Sequence, residues 1–237
     1  IDGGGSPYRG HEQTFDIGTH IVLPFLLKNG VSKLDLVVAS HWHDDHVGGL
    51  LAVVEEMPVS SFLYYPPYDN GETYEQMMNS LAKRGISKIE AVSGQTYGIG
   101  KEVVLDILHP FNEIVSDNEN NRSIVIHTRF RDTSLMFTGD IENEVEQLLV
   151  RDRNLKSHVL KVAHHGSNTS STEEWVAAVG PPFSVIQVGK NSFGPPHTDV
   201  VARFEDSGIA IYRTDEDGAI ICRYGNGGWK VKTMVKS

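Results

Sequence analysis

Short apolar runs alternate with polar, amphipathic stretches along most of the chain. Leu34–Ser40 (Leu-Asp-Leu-Val-Val-Ala-Ser) is a β-rich apolar run and predicts a buried strand. Val47–Glu56 predicts a helix after it. Ser61–Tyr65 reads as a strand, and Glu72–Arg84 as an amphipathic helix stopped by Gly85. Val103–Leu108 predicts a strand ending at His109-Pro110. Ser123–Phe130 and Ser134–Thr138, separated by a short turn, predict a hairpin. Ile141–Val150 reads as a helix, Val159–Ala163 as a strand, and a further helix starts near Thr172. Phe183–Val188 (strand) and Thr198–Asp206 (helix) follow. Ile209–Arg213, Ala219–Arg223 and Trp229–Met234 close the chain as strands. This is a mixed α/β pattern without repeat, low-complexity segment or clear linker, and residues 1–237 read as one domain.

A chain of 237 residues builds its core without disulfides or a structural metal. No apolar run approaches the roughly 20 residues of a membrane-spanning helix. The chain opens on Ile1 rather than Met, and Ile1-Asp2-Gly3-Gly4-Gly5 reads as a strand end entering a tight turn. It is therefore expected to be a fragment of a longer polypeptide, whose other parts could include membrane segments. The single cysteine, Cys222, falls in an alternating apolar stretch and reads as a buried strand thiol; it excludes a disulfide framework or a Cys-rich zinc module. Any metal must then be held by His and carboxylates. A net charge of −10 argues against a broad basic face for nucleic acid.

The chemistry concentrates at strand ends. His41-Trp42-His43-Asp44-Asp45-His46 follows the Leu34–Ser40 strand and precedes Gly48-Gly49 and a helix. In such a loop His41 and His43 can point to one metal, and Asp45 and His46 to a second. Imidazole with carboxylate suits zinc, manganese or iron(II), and the glycines let the backbone pass close to the ions. Phe137-Thr138-Gly139-Asp140 repeats the arrangement. There Asp140 is either a helix cap or a carboxylate bridging two ions, and beside the first motif the second reading is favoured.

Leu160-Lys161-Val162-Ala163-His164-His165-Gly166-Ser167 delivers paired histidines into a turn, one for metal and one for the reacting group. Lys161 can neutralise charge developing on a phosphoryl oxygen, or serve as an edge-strand lysine that blocks aggregation. His197, after Gly194-Pro195-Pro196, is a further ligand or a plain helix-start residue. His109 reads as structural. His11, His20, His127 and His158 read as surface or packed residues. The long polar loop Pro110–Arg122 carries Asn118, Asn120 and Asn121 and is of the kind that is functional or disordered.

His-x-His-x-Asp-His, then Gly-Asp, then a late His resembles the metallo-β-lactamase superfamily. The finer likeness is to the metallo-β-lactamase-like domain of the bacterial competence DNA-channel family, ComEC. It rests on Ile1–Gly5, Phe15-Asp16-Ile17-Gly18, Leu34-Asp35 into His41–Gly49, Asn121-Arg122-Ser123, Thr138-Gly139-Asp140, Lys161–Ser167, Pro196-His197 and Gly208 through Ala219. The resemblance implies an α/β, four-layer αββα sandwich with a two-metal site. Metal ligands would be His41, His43, Asp45, His46, Asp140, His165 and His197. Asp45, Lys161, His164 and His165 would be catalytic. Where many superfamily hydrolases place a further His before Ser123, this chain has Asn120 and Asn121, which favours a harder ion such as manganese beside zinc. Many ComEC relatives carry Asp where this chain has His43.

That family's domain is attached to a membrane channel and implicated in degrading the DNA strand that is not imported. The resemblance thus implies metal-assisted phosphodiester hydrolysis with two divalent ions, manganese or zinc, and single-stranded DNA as substrate. It implies the rest of the channel protein in cis, no nucleotide cofactor, and a place at the extracytoplasmic membrane face. Two rivals remain: a hydrolase of a small ester or phosphorylcholine-type substrate, with Trp42, Tyr64, Tyr65 and Tyr68 lining a pocket; and a non-catalytic DNA-guiding module.

Overall fold

A computed structural model describes residues 1–5, 15–111, 116–151, 154–189, 191–192 and 194–235. His11, Phe193 and part of the Pro110–Arg122 loop lie outside the described residues. No helix among the described residues is long and apolar enough to cross a membrane. Internal contacts group the chain into two compact units, Ile1–Ile99 with Ile107–Val125, and Gly100–Asp106 with Ile126–Ser237.

The first unit begins with a π-helical turn, Gly18–Val22, running into α1 (Leu23–Lys28). Then come β1 (Leu34–Val38), α2 (Asp44–Val47), α3 (Leu50–Glu56), β2 (Val59–Tyr64), α4 (Glu72–Arg84), β3 (Ser87–Glu90) and β4 (Thr96–Ile99). A parallel sheet orders β1-β2-β3, with Val37 opposite Phe62 and Leu63 opposite Ile89. α4 ends as its sequence dictates: Gly85 adopts φ 64°, and the amide of Ile86 returns to the Leu81 carbonyl at 3.0 Å. Val37, Trp42, Val47, Val53, Phe62 and Leu81 are among the residues that form this unit's core.

β5 (Val103–His109) gives its first four residues to the second unit and its last three to the first. The second unit continues with β6 (Val125–Phe130), β7 (Thr133–Phe137), α5 (Asn143–Val150), β8 (Val159–Lys161), α6 (Glu173–Val179), β9 (Phe183–Ile186) and α7 (Thr198–Asp206). β10 (Ala210–Arg213), α8 (Thr214–Asp217), β11 (Ile220–Gly225) and β12 (Gly228–Thr233) end it. Its sheet orders β10-β9-β8-β7-β6-β5. β6 and β7 form the expected antiparallel hairpin, whereas β7-β8, β8-β9 and β9-β10 are parallel. Such parallel strands are buried on both faces, and Val159, Leu160 and Lys161 all are.

Several expectations change. The single helix at Val47–Glu56 divides into α2 and α3 at Gly48-Gly49. The cause is backbone crowding. The Gly49 amide donates to the Gly4 carbonyl at 2.7 Å, and a Cβ on Gly3 would stand 2.7 Å from the Leu50 nitrogen. These glycines let the N-terminal segment lie directly on the turn, a closer reason for them than access to a metal. Lys161 sits on an interior strand, which removes the edge-lysine reading. Cys222 lies on β11 and is half-buried rather than buried, because its two-stranded sheet leaves one face partly open.

Candidate metal centre

In the first unit, β1 delivers the chain through Ala39-Ser40 into His41–His46. Trp42 anchors this loop. Its ring is buried against Tyr74, with centroids 4.8 Å apart, and its indole N–H donates to the Tyr65 carbonyl at 2.6 Å. The residues on either side, His41 and His43, approach each other, with His41 Nε2 3.1 Å from His43 Nδ1. Two nitrogens bound to one tetrahedral ion at 2.0–2.1 Å stand roughly 3.3 Å apart, so the pair fits chelation. The His46 ring lies 4.1 Å from that of His41, and its Nε2 is 4.0 Å from Asp45 Oδ2.

Asp2 orients this cluster, and the sequence reading did not single it out as a site residue. Its Oδ2 accepts from His46 Nδ1 at 2.9 Å and from the Ser40 hydroxyl at 2.8 Å; its Oδ1 accepts the Ser40 amide at 2.8 Å. A carboxylate only accepts, so His46 carries a proton on Nδ1 and turns its Nε2 toward Asp45. The Ser40 proton is committed to Asp2. The Ser40 oxygen therefore accepts from His41 Nδ1 at 3.1 Å, which turns His41 Nε2 toward His43. Metal-binding imidazoles are characteristically held this way. Burial raises the Asp2 carboxyl pKa, but the hydrogen bonds it accepts from His46 and the Ser40 amide outweigh burial and hold the group well below the usual carboxylate range.

The second unit builds its own cluster. β7 ends at Phe137, and Gly139 at φ 51° turns the chain so that Asp140 is buried. β8 ends at Lys161 and leads into a 3₁₀ turn, Ala163–Gly166. There His164 and His165 both hold positive φ, 48° and 54°, a conformation unfavourable for non-glycine residues. His165 Nδ1 donates to the Gln187 carbonyl at 2.6 Å, which fixes the direction of its Nε2. That Nε2 faces Asp140 Oδ2 at 3.2 Å. Either a proton on Nε2 or a shared cation joins a nitrogen and a carboxylate at this distance.

Lys161 donates to the Gly139 carbonyl at 2.9 Å and approaches Asp140 Oδ1 at 3.4 Å. Its ammonium thus holds the Asp140 turn. His164 is placed differently from His165, with Nδ1 3.2 Å from Thr169 Oγ1 and 3.4 Å from Glu142 Oε1. His197 caps the start of α7, its amide bound to the Gly166 carbonyl at 2.9 Å and its ring beside Gly194.

The structure thus gathers His41, His43, Asp45 and His46 in one unit, and Asp140, Lys161 and His165 in the other. Asp2, Ser40 and Gln187 are the orienting partners. Asp2 is 44 residues from His46, and Gln187 contributes only its backbone, so neither leaves a local motif. His109 donates from Nε2 to the Asn121 carbonyl at 2.9 Å, a structural contact. Of Trp42, Tyr64, Tyr65 and Tyr68, Trp42 and Tyr64 are buried, Tyr65 lies under the Arg122 guanidinium, and Tyr68 is exposed.

The model of the metallo-beta-lactamase superfamily matches residues 1–190. ComE operon protein 3 of Bacillus subtilis is 30% identical over 234 residues, covering 95% of this chain and 30% of that protein. Competence protein ComA of Neisseria gonorrhoeae is 32% identical over 228 residues, covering 93% and 30%. The chain therefore spans about 30% of the length of these two relatives. Among solved structures, CmlA, a diiron beta-hydroxylase from Streptomyces venezuelae, aligns with a TM-score of 0.56 at 13% identity, covering 86% of this chain and 45% of that one, a likeness of fold. The chain belongs to the metallo-β-lactamase superfamily and has its fold.

Proposed function

We propose that this chain is a metal-dependent phosphodiester hydrolase that cuts single-stranded DNA during DNA uptake, degrading the strand that is not transported. The observation that carries the metal reading is the oriented Nε2 of His165 facing the buried Asp140 carboxylate at 3.2 Å. The oriented Nε2 atoms of His41 and His46 support it. The DNA reading draws on the relative named a competence protein. By the same likeness the chain would act as part of a longer membrane protein at the extracytoplasmic face. Tethering would offset weak DNA affinity in an acidic domain by raising the effective substrate concentration.

The proposed ligands are His41, His43, Asp45 and His46 of the first unit and Asp140, His165 and His197 of the second. Two divalent ions, manganese or zinc, would supply Lewis-acid activation of the phosphate and of the attacking water. Asp45 orients that water. His164 contacts the reacting phosphate, with Glu142 and Thr169 fixing its ring. Lys161 keeps Asp140 in place rather than reaching the substrate. Asp2 and Ser40 hold the tautomers of His46 and His41.

The test offers the metal-loaded chain three substrates in parallel: single-stranded DNA, duplex DNA and a phosphorylcholine ester. Cleavage of the single strand in preference to the others is expected. Hydrolysis of the ester without DNA cleavage would replace the substrate assignment. DNA binding that ignores chelator, with no cleavage, would make the domain a guide rather than an enzyme.

A further inference from the structure

Beside His43 and Asp45 the first unit has an open groove of about 670 Å³. Among the described residues its lining contains no Lys or Arg. Six of the thirteen lining residues are carboxylates: Asp44, Asp45, Asp69, Glu72, Asp117 and Glu119. A polyanionic backbone would be repelled from such walls. Whatever part of a DNA substrate enters must be uncharged and rich in hydrogen-bond donors.

The groove also has an aromatic face. Trp42 and Tyr74 line it from the core side, and the Tyr68 ring, 59% exposed, stands at its edge. Exposed as it is, Tyr68 is held firmly. Its amide donates to Glu119 Oε2 at 3.0 Å, and the other oxygen of Glu119 accepts the Trp42 amide at 3.1 Å. Just before it, the Pro66 carbonyl accepts two hydrogen bonds from the Arg122 guanidinium, at 3.0 and 2.7 Å. One glutamate thus fixes the aromatic residues on both sides of the groove. An exposed ring on an anchored backbone, at the edge of a groove lined by acceptors, is suited to receive a flat ligand.

Resting on the phosphodiesterase reading, we propose that this groove is a nucleobase subsite for the nucleotide flanking the scissile phosphate. The base stacks on Tyr68, and its exocyclic amino group donates to the Asp69 and Asp117 carboxylates, while the scissile phosphate stays with the metal ligands His43 and Asp45. Cytosine, adenine and guanine have such an amino group. Thymine has no amino group, and its one donor, N3–H, is flanked by two carbonyl oxygens that face the carboxylates unfavourably. The subsite therefore favours amino-bearing bases over thymine.

The test uses the metal-loaded full chain with short oligo(dC), oligo(dT) and abasic strands, together with bis(p-nitrophenyl) phosphate as a base-free diester. Both kcat/KM and equilibrium binding are read. A preference for oligo(dC) over oligo(dT), and a roughly 10-fold advantage of oligo(dC) over the abasic strand, are expected from stacking. Tyr68→Ala should collapse the advantage over the abasic strand, and Tyr68→Phe should retain it. Asp69→Asn with Asp117→Asn should erase the preference for cytosine over thymine, because an amide both donates and accepts. Equal use of all three strands by the wild type would overturn the subsite while leaving the hydrolase reading intact. If no diester is cleaved, the hydrolase reading falls. The binding data then decide the subsite alone: base-dependent, Tyr68-dependent affinity keeps it, and base-independent affinity removes it.

Discussion

The Asp2 carboxylate accepts a hydrogen bond from Nδ1 of His46 at 2.9 Å across 44 residues of sequence. Both side chains are largely buried, at 14% and 3% exposure. This contact fixes which nitrogen of His46 can bind a cation, and through Ser40 it does the same for His41. Losing such a partner commonly costs 10–100-fold in metal affinity. Asp2→Ala is expected to lose about that much. Asp2→Asn should lose less, because its amide oxygen still accepts from Nδ1 while the charge is gone. Titration against a competing chelator checks this; wild-type affinity in Asp2→Ala would remove Asp2 from the account.

Gly3 and Gly49 bring the segment carrying Asp2 onto the α2–α3 turn. Gly3→Ala would place a methyl 2.7 Å from the Leu50 nitrogen. Overpacking of this kind costs about 1–3 kcal/mol. Gly98, with nothing within 4 Å of an added Cβ, is the matched control. Urea unfolding should show a lowered midpoint for Gly3→Ala and almost none for Gly98→Ala.

Lys161 and Asp140 form an almost fully buried pair, 9% and 3% exposed. Removing one partner of such a pair costs roughly 3–5 kcal/mol. Lys161→Met should therefore destabilise the chelator-treated chain strongly, and added metal should return part of the loss. A chelated Lys161→Met chain as stable as wild type would reassign the lysine to the substrate.

Stability should also fall in mild acid through His127. Burial lowers its pKa, and the neighbouring Arg129 lowers it further, against the opposing pull of Asp106. The folded value is depressed below the unfolded 6.5, so the unfolded chain binds the extra proton first. The contribution is present above pH 6.5 and is lost as pH falls through the lowered folded value. Unfolding at pH 7.5 and 5.5 should show a smaller drop for His127→Phe than for wild type. An unchanged drop would exclude His127 as its source.

Much of the fold follows from local pattern. α4 and α7 run as their amphipathic stretches predict, Glu72–Arg84 and Thr198–Asp206. The candidate ligands are legible for a related reason: they follow apolar strands, where a chain must leave its sheet. The rest depends on partners distant in sequence. β3 is four residues long, three of them exposed, and exists by pairing in parallel with β2. The π-turn at Gly18 leans on Gly49 and Ala52, too far away for any periodicity to reveal. Asp2 has no partner nearby in sequence, and the choice between His164 and His165 turns on Gln187 and Glu142, which no motif announces.

The central claim is tested most directly by metal-dependent cleavage. The metal-stripped chain is incubated with end-labelled single-stranded DNA, alone and with manganese or zinc restored. Asp45→Ala and Asp140→Ala are run beside the wild type, with folding checked by circular dichroism. Cleavage that needs added metal and is lost in both folded variants is the predicted result. Cleavage that persists in chelator, or that both variants retain at the wild-type rate, would contradict the account.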